Sequence, residues 1–222
     1  MNNSVANTTR LLWAGLRALL VLTVVCGVLY PLAVTGVAQG LFPGRANGSE
    51  ITENGRVVGS ELIGQRYDLP LKKGEETPAP DLKWFQPRPS NGLGANTVNT
   101  QYKLVLSGAT NRSADNKELI DWVTAAKAAV VKDNSVPGHP VRPSQVPADA
   151  VTSSGSGLDP AISPAYAQLQ VRRVAERNHL PVGRVEKLVE QHTDGRILGF
   201  VGEPTVNVLQ LNIALRQLTD RT

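Results

Sequence analysis

A long apolar run near the N-terminus constrains the folding of this 222-residue chain more than any other feature. No charged residue occurs from Ala18 to Gly44, and two arginines precede the run. The stretch 18–38 spans about 31 Å as a helix, which matches the hydrocarbon core of a bilayer. The run therefore predicts a transmembrane helix over residues 18–40 that tethers the rest of the chain to a membrane.

Two other structures could contain such a run. A buried core helix would carry a polar face, and residues 18–38 have none. A cleaved signal peptide fits the basic N-terminus and the small residues Gly36 and Ala38, but its apolar core usually has only about 7–15 residues. A retained anchor is therefore favoured, with cleavage after Ala38 as the alternative.

The distribution of charge predicts how the anchor is oriented. Arg10 and Arg17 lie in a segment without acidic residues, whereas both signs of charge occur directly after the apolar run. Basic residues favour the cytoplasmic side of a membrane. We therefore expect residues 1–17 to be cytoplasmic and residues 41–222 to form an exported, extracytoplasmic domain.

The apolar run also contains residues that suit contact with other helices. Proline removes a helical hydrogen bond, so Pro31 should loosen the helix near Gly27. Small residues spaced four apart let a second helix approach closely. The predicted packing residues are Thr23, Gly27, Pro31, Gly36 and Gly40. Such residues also occur in helices that face only lipid, which is the alternative.

The exported part has 178 residues after the apolar run, enough for one domain with a hydrophobic core. Only two of the 23 basic residues precede it, so its 21 basic residues stand against 19 acids. This weak excess, without basic runs interleaved with aromatics, argues against nucleic-acid binding. The single cysteine, Cys26, lies in the apolar run, so the domain is expected to fold without disulfides.

The pattern of the exported part predicts an α+β fold: one N-terminal transmembrane helix followed by a single mixed α/β exported domain. Residues 45–110 are expected to form strands and loops, with a hairpin at Asn54-Gly55, a short strand over 60–67 and a long loop over 69–94. Helices are expected afterwards, at 116–132, from Pro164 after the cap Ser163, from Pro181 to Gly195, and after the cap Asn207. A further strand is expected over 197–201.

No group of residues predicts catalysis or metal binding. His139, His179 and His192 lack the spacing of metal ligands, and the last two are expected to meet carbonyls at helix ends. The serines and glycines of 153–157 lack the G-x-S-x-G frame of a hydrolase nucleophile and the lysine of a phosphate-binding loop. We therefore expect no catalytic residue, no metal site and no cofactor of the chain's own.

One loop is nevertheless strongly specified by its sequence. Its glycines permit positive φ, its aspartate can bind its own backbone, and prolines fix its exit. The predicted loop consists of Ser154, Gly155, Ser156, Gly157, Leu158, Asp159 and Pro160. The pattern fits a rigid turn before a helix, which could serve either the fold or contact with a partner.

Several blocks along the chain together resemble the C subunit of the Kdp potassium-transporting ATPase of bacteria. They span residues 30 to 212 in order and comprise Tyr30-Pro31-Leu32, Val34-Thr35-Gly36, Ala38-Gln39, Leu41-Phe42-Pro43, Gly48-Ser49, 59–65, Arg88-Pro89-Ser90, Val151-Thr152, 154–160, Ile162-Ser163, Arg173-Val174-Ala175, 206–209 and Leu211-Asn212. Two departures stand out. Pro87 follows Trp84-Phe85-Gln86 where the family usually has glycine, and Ala161 replaces a usual histidine.

The resemblance implies a non-catalytic subunit of a high-affinity potassium uptake complex. Its implied partners are a P-type ATPase pump subunit, a channel-like potassium-translocating subunit and a small membrane subunit. The resemblance also implies a catalytic chaperone that raises the ATP affinity of the pump subunit, with ATP binding to which no residue is assigned. The predicted orientation places the exported domain away from cytoplasmic ATP.

Two functions of other classes compete with this assembly role. A tethered exported hydrolase would use Asp159 and a serine, although the sequence shows neither a base nor an oxyanion frame. A solute-binding module would bind a ligand without any partner.

Overall fold

The computed structural model describes residues 2–73, 75, 78–90, 107–108 and 111–220. The chain divides into two compact units, one ending at Glu50 and the other beginning at Ile51. The structure is mixed helix and strand, with a long apolar helical segment first and an α/β region after it. The predicted fold class is thus confirmed.

The first unit is almost entirely helical. Helix α1 spans Asn2–Val24, a π-helical segment spans Val25–Leu29, α2 spans Tyr30–Leu41, and a single turn, α3, spans Pro43–Ala46. Among the described residues, one helical stretch, Ser4–Leu41, is long and apolar enough to cross a membrane by its length and composition. That stretch is consistent with the predicted anchor.

A hairpin begins the second unit. Strand β1 spans Glu50–Glu53 and β2 spans Arg56–Ser60. The two turn residues between them have positive φ, 50° at Asn54 and 76° at Gly55. Asparagine and glycine adopt this backbone conformation most readily, which is why the sequence predicted the hairpin correctly.

The rest of this unit, in its described residues, contains four α-helices, two short 3-10 helices (Pro143–Gln145 and Ala148–Ala150) and a second sheet. Helix α4 spans Lys117–Asn134, α5 Pro164–Arg177, α6 Val182–Gln191 and α7 Val208–Thr219. Strands β3 (Ala161–Ile162), β4 (Thr193–Asp194) and β5 (Thr205–Asn207) form an antiparallel sheet in the order β3-β5-β4. In its register Ile162 faces Val206, which also faces Thr193.

The core of this unit lies between α5, α6, α7 and the sheet. Apolar side chains recur on one face of each helix, as the spacing predicted. The apolar residues of the whole core with at most 1% exposure are Phe85, Ala167, Val171, Val174, Ala175, Val185, Val206, Val208, Leu211 and Leu215. Phe85 comes from a segment without regular structure, so that segment is held against the helices.

Three predicted elements differ from the structure. Ser60 ends β2, and residues 61–63 form a turn followed by irregular backbone, where a further strand was expected over 60–67. Helix α6 ends at Gln191, before the predicted stop at Gly195, because β4 begins at Thr193. Residues 197–201 form a tight turn closed by one isolated bridge between Ile197 and Val201, so the predicted strand is wrong.

Candidate functional site

The predicted helix-packing residues lie along the exposed apolar helix. Thr23 is in the last turn of α1, Gly27 is in the π-helical segment, and Pro31, Gly36 and Gly40 are in α2. Gly36 and Gly40 are one turn apart and therefore share a face. A β-carbon added at either glycine would meet no atom within 4 Å, so this face is open.

The helix changes its hydrogen-bond pattern directly before Pro31. The amide of Tyr30 donates to the carbonyl of Val25, five residues back, as in a π-helix. Proline cannot donate to the carbonyl four residues before it, which is that of Gly27. The predicted loosening near Gly27 is therefore confirmed as a local π-helical segment.

The loop of residues 154–160 is held by its own polar groups. The hydroxyl oxygen of Ser154 accepts from the Asp159 amide at 3.3 Å, and that of Ser156 accepts from the Leu158 amide at 3.1 Å. One carboxylate oxygen of Asp159 accepts from the Ala161 amide at 3.0 Å. Gly157 has a φ of 68°, the left-handed region that favours glycine. The loop thus forms a turn that is closed by its own hydrogen bonds.

Arg88, which lies in a different segment of the chain, stabilises this loop through hydrogen bonds and an ion pair. Its guanidinium donates to Asp159 at 3.1 Å and to the carbonyls of Thr152 and Ser153, both at 3.3 Å. The hydroxyl of Ser90 donates to the Gly157 carbonyl. Both members of the ion pair are partly shielded, with side-chain exposures of 24% for Arg88 and 33% for Asp159.

The segment 59–65 contacts the loop from another side. The amide of Gly64 donates to the Leu158 carbonyl at 2.8 Å, and a β-carbon on Gly64 would come within 2.5 Å of the Asp159 carbonyl oxygen. The Asn207 side chain donates to the Glu61 carbonyl at 2.9 Å. The segments 59–65, 88–90, 154–160 and the start of α7 therefore meet in one place.

Two amide side chains pair with the backbone next to Arg88. Asn212 accepts from the Phe85 amide and donates to the Phe85 carbonyl, both at 2.9 Å. Gln170 does the same with Gln86, at 2.7 and 3.1 Å. Each side-chain amide thus makes the same pair of hydrogen bonds that a residue of a neighbouring strand would make. The departure at Pro87 removes none of these four bonds, since they use only the amides and carbonyls of Phe85 and Gln86.

A buried arginine lies beneath the same segment. Arg173 is 2% exposed and donates to Asn134 at 2.9 Å, Gln170 at 2.6 Å and the Trp84 carbonyl at 3.0 Å. It also donates to the Leu82 carbonyl. All four acceptors are neutral oxygens. Burial lowers the pKa of Arg173 to about 10, so its charge persists at neutral pH.

A cleft of about 370 Å³ opens beside this network, with Arg173, Gln170, Arg88 and Asp133 in its lining. In the described part of the chain, no group of three or more His, Cys, Asp or Glu residues could hold a metal ion. The Asp159 carboxylate binds Arg88 and its own backbone, while Ser154 and Ser156 accept from loop amides. These contacts stabilise a turn and do not form a nucleophile with its base.

The histidines at the helix ends differ in their contacts. The Nδ1 of His192 lies 2.8 Å from the Leu188 carbonyl, as expected of an imidazole at a helix end. His179 instead uses its backbone: with a φ of 56° it ends α5 in a left-handed conformation, and the next amide, Leu180, donates to the Ala175 carbonyl at 2.9 Å.

The residues of the buried polar network carry no motif that predicts a role for them. Gln170 and Arg173 lie three residues apart on the buried face of α5, and Asn212 lies on the buried face of α7. A polar residue within an otherwise apolar helix face is the signal that could have found them, because such a group must find a partner in the core.

Comparison with known proteins yields consistent matches over nearly the full length. A family model described as KdpC, the K+-transporting ATPase c chain, matches residues 12–217. The chain is 76% identical to a Streptomyces avermitilis protein named potassium-transporting ATPase KdpC subunit, with 98% of each chain covered. Proteins of the same name from Streptomyces coelicolor and Mycobacterium bovis are 73% and 44% identical, covering 98% and 94% of this chain and 97% and 99% of their own.

Proposed function

The chain belongs to the KdpC family, the c chains of K+-transporting ATPases, and from this membership we propose that it assembles and steadies such a complex during potassium uptake. The observation that carries the proposal is the extent of the match, which includes both the apolar helix and the α/β unit. The convergence of segments 59–65, 88–90 and 154–160 supports it, because these blocks carry the family resemblance.

The apolar helix is the first proposed contact with other subunits. Transmembrane helices associate through close packing at small residues, since lipid offers no hydrophobic driving force between them. Gly36 and Gly40 provide an open strip on one face of α2, next to the π-helical segment at Gly27. We assign this face to the membrane helices of the channel-like potassium-translocating subunit or of the P-type pump subunit.

The orientation belongs to the same proposal. Arg10 and Arg17 keep the N-terminus in the cytoplasm, so the α/β unit lies outside the bacterial inner membrane, beside the potassium entry path. Protease treatment of intact cells and spheroplasts tests this orientation. Loss of the α/β unit only after the outer barrier is removed is expected. Protection of that unit in spheroplasts would contradict the proposed orientation.

An effect on ATP affinity is the remaining element of the proposal. ATP is cytoplasmic, so with the orientation above the chain would change the affinity of the pump subunit through subunit contacts. Removal of the chain should then raise the ATP concentration that gives half-maximal ATPase activity. Photolabelling of the chain itself by an ATP analogue would instead indicate a nucleotide site on it.

Co-purification tests the assembly role directly. In detergent extracts, the tagged chain should retain a phosphorylatable pump subunit and a larger multi-span subunit. Gly36→Leu combined with Gly40→Leu should reduce their recovery by about tenfold, because each leucine prevents close approach. Val34→Leu, on the opposite face of α2, is the matched control. Unchanged recovery in the double variant would exclude packing through this face.

A further inference from the structure

The cleft beside the buried network, called here the polar cleft, has polar groups in its lining that the fold does not use. Its volume of about 370 Å³ lies within the range of small-molecule pockets, roughly 300–1,000 Å³. Its walls come from α4, α5 and the segment 80–90, with apolar surface at Leu82, Pro87 and Val130. A pocket of this kind binds a ligand through a few polar groups that converge on an otherwise apolar wall.

Two deeply buried side chains in the lining of the polar cleft have unused hydrogen-bond donors. Tyr166 is 5% exposed, and its hydroxyl has no hydrogen-bond partner among the described residues. Arg173 is 2% exposed, and its guanidinium has five N–H groups, of which four donate within the described part of the chain. A buried donor without an acceptor is unfavourable. The two donors therefore indicate an acceptor that a bound molecule supplies.

Asp133 adds a charge of the opposite sign to the same cleft. It is half-buried near the end of α4, and its carboxylate forms no ion pair or hydrogen bond with a described residue. It lies close enough for its charge to act on both Tyr166 and Arg173. The other charged residues of the lining are already in ion pairs, which are Arg66–Asp68 and Arg88–Asp159. The polar cleft thus offers an unpaired carboxylate beside a guanidinium that has only neutral acceptors.

We propose that the polar cleft binds a small zwitterionic amino acid, with its ammonium group on Asp133 and its carboxylate on Tyr166 and Arg173. The Asp133 carboxylate accepts from the ammonium, while the Tyr166 hydroxyl and the remaining N–H of Arg173 donate to the ligand carboxylate. A zwitterion adds no net charge to the cleft. A simple cation would be repelled by Arg173 and a simple anion by Asp133. This binding site goes beyond the proposed assembly role and does not depend on it.

Isothermal titration calorimetry of the full chain in detergent, without other subunits, tests the inference. The ligands are glycine, alanine, β-alanine and γ-aminobutyrate, which differ in the spacing between their two charges. Acetate and methylamine each carry only one of these charges. At least one amino acid should bind, about tenfold or more tightly than acetate and methylamine. The absence of binding by all four amino acids at millimolar concentrations would overturn the inference, as would equally tight binding of acetate or methylamine.

Two variants test whether binding occurs in the polar cleft. Asp133→Asn keeps the shape of the side chain and removes its charge, and Tyr166→Phe removes only the hydroxyl. Each should weaken the binding of the preferred amino acid by about tenfold or more. Asp121→Asn, at an exposed position of the same helix, is the matched control and should leave the affinity unchanged. Unchanged affinity in either cleft variant would overturn the inference. Because the assay contains no other subunit, that outcome would leave the proposed assembly role intact.

Discussion

Gly64 lies directly against the backbone of Asp159. Its amide donates to the neighbouring Leu158 carbonyl at 2.8 Å, and a β-carbon in its place would come within 2.5 Å of the Asp159 carbonyl oxygen. Backbone atoms cannot rotate away as a flexible side chain can. The segment after β2 and the loop before β3 are therefore joined by a contact that only glycine allows.

Gly64→Ala should lower the free energy of unfolding by about 2 kcal/mol, because the added methyl group overpacks two backbone segments. For a chain of this size, that corresponds to a decrease in melting temperature of roughly 4–8 °C. Circular dichroism of the full chain in detergent measures the change.

Gly183→Ala is the matched control. A β-carbon at Gly183, in α6, meets no atom within 4 Å. Alanine is the better helix former, so this substitution should leave stability unchanged or raise it. Equal losses of stability in both variants would show that the close contact between Gly64 and Asp159 is not the cause of the loss in Gly64→Ala.

Asp159→Asn should cost about 1 kcal/mol, because it removes the ion pair with Arg88 but keeps an oxygen that can accept from the Ala161 amide. Asp159→Ala removes both contacts and should cost about 2 kcal/mol. Asp121→Asn is the control, since the ion pair of Asp121 with Lys117 is exposed to solvent, with side-chain exposures of 65% and 90%. Urea unfolding of the three variants tests the expected order of stability loss, which is largest for Asp159→Ala and smallest for Asp121→Asn. A cost for Asp121→Asn as large as that for Asp159→Ala would contradict it.

The starts of three helices were predictable because capping is local chemistry. The side chains of Asn116, Ser163 and Asn207 each accept from a backbone amide three residues later, as expected of these residue types. The Asn54-Gly55 hairpin was predictable for the same reason. In each case the residues that determine the structure are adjacent in the sequence.

Contacts between distant segments could not be predicted in this way. The internal geometry of the loop 154–160 follows from its own glycines and serines, but nothing local indicates that Arg88 and Gly64 meet it. The strand expected over 197–201 failed for a related reason. Its apolar run resembles a buried strand, yet Leu198 and Gly199 have positive φ and their neighbours are exposed.

Arg173→Met should lower the free energy of unfolding by at least about 3 kcal/mol. The variant keeps a side chain of similar length, but the Leu82 and Trp84 carbonyls and the Asn134 side chain lose a buried donor. Arg172→Met, at the exposed neighbouring position, should change stability by less than about 0.5 kcal/mol. Thermal unfolding of both variants measures the difference. Similar melting temperatures of the two variants would mean that the buried network around Arg173 contributes little to the free energy of unfolding.

The alkaline stability of the chain should depend on two tyrosines, the buried Tyr166 and the partly buried Tyr67. Burial raises the pKa of Tyr166 to about 12, and burial, partly offset by a hydrogen bond with Asn212, raises that of Tyr67 to about 12. The ordinary value is 10.0, so the unfolded chain loses these protons first. Unfolding then releases protons, and the stabilisation present below pH 10 is lost as the pH rises towards 12.

Tyr166→Phe isolates one of these groups, which is necessary because the lowered pKa of Arg173 acts with the opposite sign over the same pH range. Between about pH 9 and pH 11, the free energy of unfolding should fall less in Tyr166→Phe than in the unmodified chain, by up to about 1.4 kcal/mol. Urea unfolding in detergent, followed by tryptophan fluorescence, measures both pH values. An equal or steeper fall in Tyr166→Phe would show that Tyr166 ionises as readily in the folded chain as in the unfolded one.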